Sequence, residues 1–133
     1  MRIAVLLLMT VTLFSGCDRI RGWWPGTDGT STMPSQGCDK DLTVYYKNNC
    51  GKTLIVYFTE VNPGTTVDCN VLQDYGSIYA DQSKTFTIHK GKIGFFVFAL
   101  DQEGKCTGGH RKAEAWVNCS QSSSNEASFN ICQ

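Results

Sequence analysis

The sequence predicts an all-β fold, a small antiparallel β-sandwich or barrel stabilised by disulfides, over residues 38–133. Short apolar runs with a two-residue period recur along this segment, and turns containing Gly, Asn or Pro separate them. None of these runs has the length and the 3.6-residue period of an amphipathic helix. The segment also holds six cysteines, an even number that three disulfides would use completely.

The first two predicted strands are joined by a turn. Residues 42–47, LTVYYK, alternate as a half-buried strand does, and the inward residues are Leu42, Val44 and Tyr46. The sequence NNCG at 48–51 favours a turn, because Asn and Gly tolerate positive φ. Residues 53–61, TLIVYFTEV, are rich in β-branched and aromatic types. Their first half is apolar on both faces, which predicts a central strand.

Three strands are predicted in the middle of the domain. Residues 67–72 form a short one. Residues 83–89, SKTFTIH, alternate so that Phe86 and Ile88 point inward while the threonines and the histidine point outward. Residues 94–100, GFFVFAL, are the most apolar stretch of the domain, and we expect burial along its whole length.

The last two predicted strands are 111–119 and 128–132, with the polar sequence SQSSSNEA between them. In the first, Ala113, Ala115 and Val117 share one face, while Glu114 and Trp116 share the other. Trp116 is therefore a candidate partner-binding residue, since exposed aromatic side chains are favoured at interfaces. The alternative is that Trp116 is buried under a loop or in the core, as tryptophan is in most proteins.

Residues 1–16 are predicted to be a signal peptide. Arg2 supplies a positive charge, residues 3–14 form an apolar run, and the small residues Ser15 and Gly16 follow. The 12 residues of this almost purely apolar run would cover only about 18 Å as a helix, too little for a hydrocarbon core of about 30 Å.

The sequence LFSGC, ending at Cys17, resembles the lipobox of bacterial lipoproteins. The resemblance implies that the Cys17 thiol receives a diacylglycerol, that cleavage precedes Cys17, and that the protein is lipid-anchored in the bacterial cell envelope. Asp18 resembles an inner-membrane retention signal, but the choice between inner and outer membrane stays open. Ordinary secretion, with Cys17 as a free thiol, is the alternative. In the lipoprotein interpretation, residues 17–37 are the lipid anchor and a flexible linker, since 25–37 are mostly Gly, Ser, Thr and Pro.

The seven cysteines support this division of the chain. Excluding Cys17 leaves an even set of disulfide candidates, and an exported domain is where disulfides persist. These candidates are Cys38, Cys50, Cys69, Cys106, Cys119 and Cys132. Six cysteines allow 15 pairings, and the sequence does not choose among them.

A second resemblance concerns the domain itself. The sequences TVYYKNNCGKTLIVYF, GSIYADQSKTFTI and GKCTGG, in this order, resemble thaumatin-like domains. This resemblance implies a β-sandwich and carries no site residues.

The composition offers little for catalysis or cofactors. Basic and acidic side chains number 12 each, so no basic face predicts a nucleic-acid partner. The histidines are His89 and His110, and Cys106-x-x-x-His110 has poor zinc spacing, so we predict no metal and no cofactor. A trio of Ser77, Asp81 and His89 is no better than chance, so we predict that the protein is not an enzyme.

The sequence therefore predicts an exported, membrane-anchored lipoprotein whose β-domain is a binding or accessory module of the envelope, of the inhibitor or immunity type. Its expected partners are the membrane, through the lipid on Cys17, and a protein or an envelope polymer. A purely structural envelope lipoprotein and a periplasmic hydrolase are the alternatives.

Overall fold

The computed structural model describes residues 33–106, 108–121 and 124–133. The predicted signal peptide, Cys17 and most of the linker lie outside these residues. The described strands are β1 (Leu42–Asn48), β2 (Leu54–Val61), β3 (Gln73–Ile78), β4 (Ser83–Ile88), β5 (Ile93–Ala99), β6 (Arg111–Val117) and β7 (Glu126–Ile131). Three short 3-10 helices accompany them, η1 (Gln102–Lys105), η2 (Gly108–His110) and η3 (Cys119–Gln121). Among the described residues, no helix has the length and apolar character needed to cross a membrane.

The strands form two sheets, ordered β4-β1-β7 and β3-β2-β5-β6. This arrangement confirms the predicted all-β fold and makes it a sandwich. All pairs are antiparallel except β1 with β7, which run parallel. The parallel pair arises because β7 returns from the other sheet, so no hairpin joins it to β1. For six of the seven strands, both ends lie within two residues of the predicted ends, which is the usual uncertainty of such bounds.

Aromatic side chains from both sheets fill the space between them. Tyr46 of β1 is fully buried, as the alternation of LTVYYK predicts, together with Leu42 and Val44. Its ring centroid lies 4.9 Å from that of Phe96, 4.7 Å from that of Phe98 and 5.2 Å from that of Phe129. Such close ring pairs stabilise a core beyond the area that they bury.

The predicted strand at 67–72 is wrong, because these residues form a turn, and the strand follows it as β3. The sequence of β3, QDYGSI, lacks an apolar alternation because β3 is an edge strand that exposes five of its six residues. Its pairing with β2 shifts register between Ile55 and Tyr57, and Gly76 has a φ of 81°. A bulge with glycine in the left-handed region explains why a strand here contains Gly.

The four-stranded sheet is buried on its outer face as well. All seven residues of β5 are buried, which confirms the prediction for 94–100 up to Ala99. Leu100 is 45% exposed, so the prediction is wrong at its last residue, because the strand ends and the chain turns toward η1. Residues Tyr57, Leu72, Phe95, Val97 and Ala99 form a second apolar cluster on this face, and Val67, Cys69 and Trp116 pack against it.

Three disulfides use all six candidate cysteines. They join Cys38 to Cys119, Cys50 to Cys132 and Cys69 to Cys106. The third disulfide connects the β2–β3 loop to the β5–β6 loop. Leu72, Val67 and Cys69 of the β2–β3 loop pack on the second apolar cluster, and Lys105 of the β5–β6 loop lies over the ring of Tyr57. This disulfide therefore joins the two parts of a cover over the cluster.

The chain enters the sandwich at the end where β1 begins, which we call the proximal end. There the Cys38 N–H donates to the Lys92 carbonyl (3.1 Å), and the Cys38 carbonyl accepts from the Gly91 N–H (2.7 Å). The Asn118 side-chain amide donates to the carbonyl of Gln36 (2.9 Å). A Cβ at Gly37 would collide with the Gly91 carbonyl, so this approach requires glycine. Residues 36–38 are therefore an integral part of the domain.

The opposite, distal end is organised by the buried side chain of Asn48. Its Nδ2 donates to the carbonyls of Lys52 (2.7 Å) and Ile78 (2.8 Å), and its Oδ1 accepts from the Cys50 N–H (2.9 Å). The amide thereby ties the β1–β2 turn to the end of β3. Because an unsatisfied buried polar group is costly, this amide needs all three contacts to remain buried.

Candidate functional site

Trp116 lies on the outer face of the four-stranded sheet, on the face that the alternation predicts. Ala113, Ala115 and Val117 are buried on the opposite face. The Trp116 ring packs on Phe95 of β5, with ring centroids 4.4 Å apart, and it is partly buried. Trp116 therefore lies at the edge of the second apolar cluster, where part of its side chain is still exposed to solvent. This position is between the two alternatives. A role of Trp116 in partner binding stays a prediction.

The most exposed aromatic side chain described is Tyr79, which is 62% exposed. Tyr75, on β3, is 40% exposed, and its ring lies 5.2 Å from that of Phe58 and 5.8 Å from that of Phe86. Tyr79 comes directly after β3, which ends at Ile78. The sequence pattern does not reveal them as candidates, because it predicts the strand at 67–72 and no secondary structure at 73–79.

The β5–β6 loop, at the distal end, is held by Asp101 near its start and by Arg111, the first residue of β6. Asp101 precedes η1, and its Oδ1 accepts from the N–H groups of Glu103 (3.0 Å) and Gly104 (3.3 Å). Arg111 Nε donates to the Gly104 carbonyl (3.0 Å), and its Nη2 donates to the Lys105 carbonyl (2.7 Å). The guanidinium also pairs with the carboxylate of Glu114. These contacts give the loop a defined backbone path.

This loop brings together three side chains that the sequence pattern does not connect. His110 Nδ1 lies 2.5 Å from Asp101 Oδ2, and its Nε2 lies 2.9 Å from Glu103 Oε2. The partner of His110 suggested by sequence spacing is Cys106, whereas Cys106 is bonded to Cys69. In the sequence, these side chains appear only as Asp-x-Glu with a histidine seven residues after the glutamate. This pattern is a weak indication of a cluster, because the path of the loop decides whether the histidine returns to the carboxylates.

His89 lies at the proximal end and connects the two sheets. Its backbone N–H donates to Glu60 Oε2 (2.8 Å), and its Nδ1 lies 2.6 Å from Glu60 Oε1. The hydrogen bond and the negative charge of Glu60 raise the pKa of His89 above its ordinary value of 6.5, and Asp41 adds to the rise. As predicted, the side chain is exposed.

We expect this pair to make stability depend on pH. A histidine whose pKa is higher in the folded chain stabilises it fully below the unfolded value, and the contribution disappears as pH rises through the folded pKa. Wild type should therefore be more stable than Glu60→Gln at a pH well below 6.5. This difference in the free energy of unfolding should be smaller at a pH well above the raised pKa of His89. Urea unfolding at the two pH values measures this. An equal difference at both would contradict the assignment, and glutamine is a suitable replacement because it still accepts from the His89 N–H.

The trio of Ser77, Asp81 and His89 is not assembled in the structure. Ser77 and Asp81 lie near the distal end, and His89 follows β4 at the proximal end. The six residues of β4 between them span about 20 Å, far beyond hydrogen-bond distance. This trio cannot act as one catalytic unit.

Known proteins supply no template for these features. Comparison of the chain with protein families, with curated proteins and with solved structures found no match. The thaumatin-like resemblance stays a prediction. So does the lipobox resemblance, which concerns residues outside the described part. The function is therefore inferred from the side chains themselves.

Proposed function

We propose that the protein is an exported bacterial lipoprotein, anchored through Cys17, whose β-domain binds a protein partner in the cell envelope. The observation that carries the proposal is the use of all six downstream cysteines in three disulfides. Of the seven cysteines, this leaves Cys17 alone, at the position where the lipobox resemblance requires the acylated residue. Persistent disulfides also favour an oxidising compartment.

The path of the chain supports a tethered arrangement. Residues 36–38 are fixed to the proximal end by the Cys38–Cys119 disulfide and by the hydrogen bonds of Cys38 and Asn118. A lipid on Cys17 would therefore be connected to this end. The β5–β6 loop and the Cys50–Cys132 disulfide lie at the other end, away from the attachment point.

A protein partner is favoured by the aromatic side chains of the β3 edge. Tyrosine is enriched in interfaces because it offers a large contact area at a low entropic cost. Tyr75 is held by its contacts with Phe58 and Phe86, so little ordering would be required when a partner binds. Tyr79 is the more exposed of the two tyrosines. We therefore assign the partner-binding surface to Tyr75 and Tyr79 and retain Trp116 as the alternative.

The test uses the full-length chain in bacterial membranes. Mass spectrometry should find an acylated Cys17 at the mature N-terminus, and the partner should co-purify after solubilisation in detergent. Tyr79→Ala should lower the recovery of the partner about tenfold or more, as expected when a hot-spot residue is removed. Trp116→Ala tests the alternative, because it truncates an aromatic side chain on the outer face of the same sheet. If only Trp116→Ala acts, the Tyr75 and Tyr79 surface is wrong.

Two outcomes would contradict the proposal more broadly. If Cys17→Ser is processed normally and stays with the membrane, the lipid anchor is wrong. If no protein co-purifies with an anchored wild type, the binding function is wrong, and a structural role becomes the better interpretation.

A further inference from the structure

Asp101, Glu103 and His110 form a group of metal-ligating side chains that is separate from the tyrosine surface. Each contributes one candidate ligand atom, and these atoms all lie within 4.8 Å of one another. All three side chains reach solvent, and the Glu103 side chain is 74% exposed. An ion could thus enter without any movement of the fold.

The imidazole of His110 lies between the two carboxylates. One ring nitrogen faces Asp101 Oδ2 and the other faces Glu103 Oε2. A neutral imidazole has one N–H and one lone pair, so it can donate to only one of these oxygens. Its second nitrogen then presents a lone pair to a carboxylate lone pair. That nitrogen therefore needs either a proton, which makes the ring an imidazolium that donates to both carboxylates, or a metal ion in the place of that proton.

The two carboxylate oxygens of Asp101 have different roles. Oδ1 accepts from the backbone N–H groups at the start of η1, and Oδ2 is left to face the histidine. The hydrogen bonds to Oδ1 orient the carboxylate, as outer contacts commonly do for metal ligands. The Cys69–Cys106 disulfide and the contacts of Arg111 hold the loop between the ligands. The donor set is therefore anchored to the fold on both sides.

We propose that Asp101, Glu103 and His110 bind one divalent transition-metal cation of the class of Zn²⁺, Ni²⁺ and Cu²⁺. The ion would take the imidazole nitrogen and the carboxylate oxygen on one side of the ring, and the other carboxylate would accept the N–H of the opposite nitrogen. A nitrogen ligand with oxygen ligands suits this class, whereas Ca²⁺ and Mg²⁺ prefer oxygen ligands alone. The neighbouring Cys106 supplies no thiolate, because it is in a disulfide with Cys69. Water completes the coordination shell. The site does not depend on the lipid anchor or on the partner surface.

Zinc titration of the purified full-length protein in detergent, followed by isothermal calorimetry, tests the proposal. Wild type should bind one Zn²⁺ per chain, and Ca²⁺ should not compete. His110→Gln and Glu103→Gln should each weaken zinc binding about tenfold or more, in the range seen for altered metal sites. Each variant is used only after its unfolding transition without metal has been shown to match wild type.

His89→Gln is the matched control, because His89 also contacts a carboxylate but only one. It should bind zinc as wild type does. The proposal is overturned if wild type binds no zinc, or if His110→Gln and Glu103→Gln both bind it as tightly as wild type. It is equally overturned if His89→Gln abolishes binding, since the ion would then lie at the proximal end.

Discussion

Replacing Phe96 with alanine should lower the free energy of unfolding by about 3–5 kcal/mol. Phe96 is fully buried at the centre of β5, where its ring contacts aromatic residues of both sheets. Its centroid lies 4.6 Å from that of Phe58, 4.9 Å from that of Tyr46 and 5.1 Å from that of Phe86. These neighbours belong to three different strands, so they cannot collapse together into the space left by the ring. The residual cavity adds to the lost transfer free energy.

Urea-induced unfolding measures this change, and two variants control for it. Trp116→Ala removes a larger ring that is only partly buried, so it should cost clearly less than Phe96→Ala. Phe96→Leu keeps most of the volume, and its cost should also be smaller. If Phe96→Ala cost less than Trp116→Ala, the space between the sheets would not be the principal core. Because a domain of this size is stable by only about 5–15 kcal/mol, the variant should also melt at a markedly lower temperature.

The strands that the sequence predicts well are those with one buried face or two. LTVYYK and SKTFTI alternate because each packs one face on the core, and both strands end within one residue of the predicted bounds. The strand β3 escapes prediction because it is an edge strand with mostly exposed side chains, and solvent imposes no apolar period. Conversely, Leu72 belongs to a predicted strand because it is apolar, whereas it is buried as part of a covering loop.

The second apolar cluster explains why the predictions for the functional residues are only partly informative. Alternation places Trp116 on the outer face correctly, but it cannot show that the β2–β3 and β5–β6 loops cover most of that face. The two loops are joined by the pairing of Cys69 with Cys106, one choice among the pairings that the sequence leaves open. The loop path that unites Asp101 with His110 is likewise a product of tertiary contacts, chiefly those of Arg111.

Removal of the Cys50–Cys132 disulfide should be the other large loss of stability. If a disulfide stabilises by restricting the entropy of the unfolded chain, its effect grows with the length of the closed loop. The separation of 82 residues then gives about 4.5 kcal/mol. The double variant Cys50→Ser/Cys132→Ser avoids unpaired thiols in the domain. Urea unfolding without reductant measures its stability against wild type.

Comparison with Cys69→Ser/Cys106→Ser separates two physical causes. Its separation of 37 residues gives about 3.8 kcal/mol by the same relation, so unfolded-chain entropy alone makes it the milder change. However, this disulfide also holds the two loops against Tyr57, Phe95 and Val97, and its loss would expose that cluster. If the Cys69 and Cys106 variant proves the less stable one, folded-state packing outweighs loop entropy. The alternative result is that Cys50→Ser/Cys132→Ser lowers the free energy of unfolding more, by about the difference expected from loop length. In that case the apolar contacts of the two loops are enough to keep the second apolar cluster covered. If either double variant were as stable as wild type, both explanations, unfolded-chain entropy and folded-state packing, would be contradicted for that disulfide.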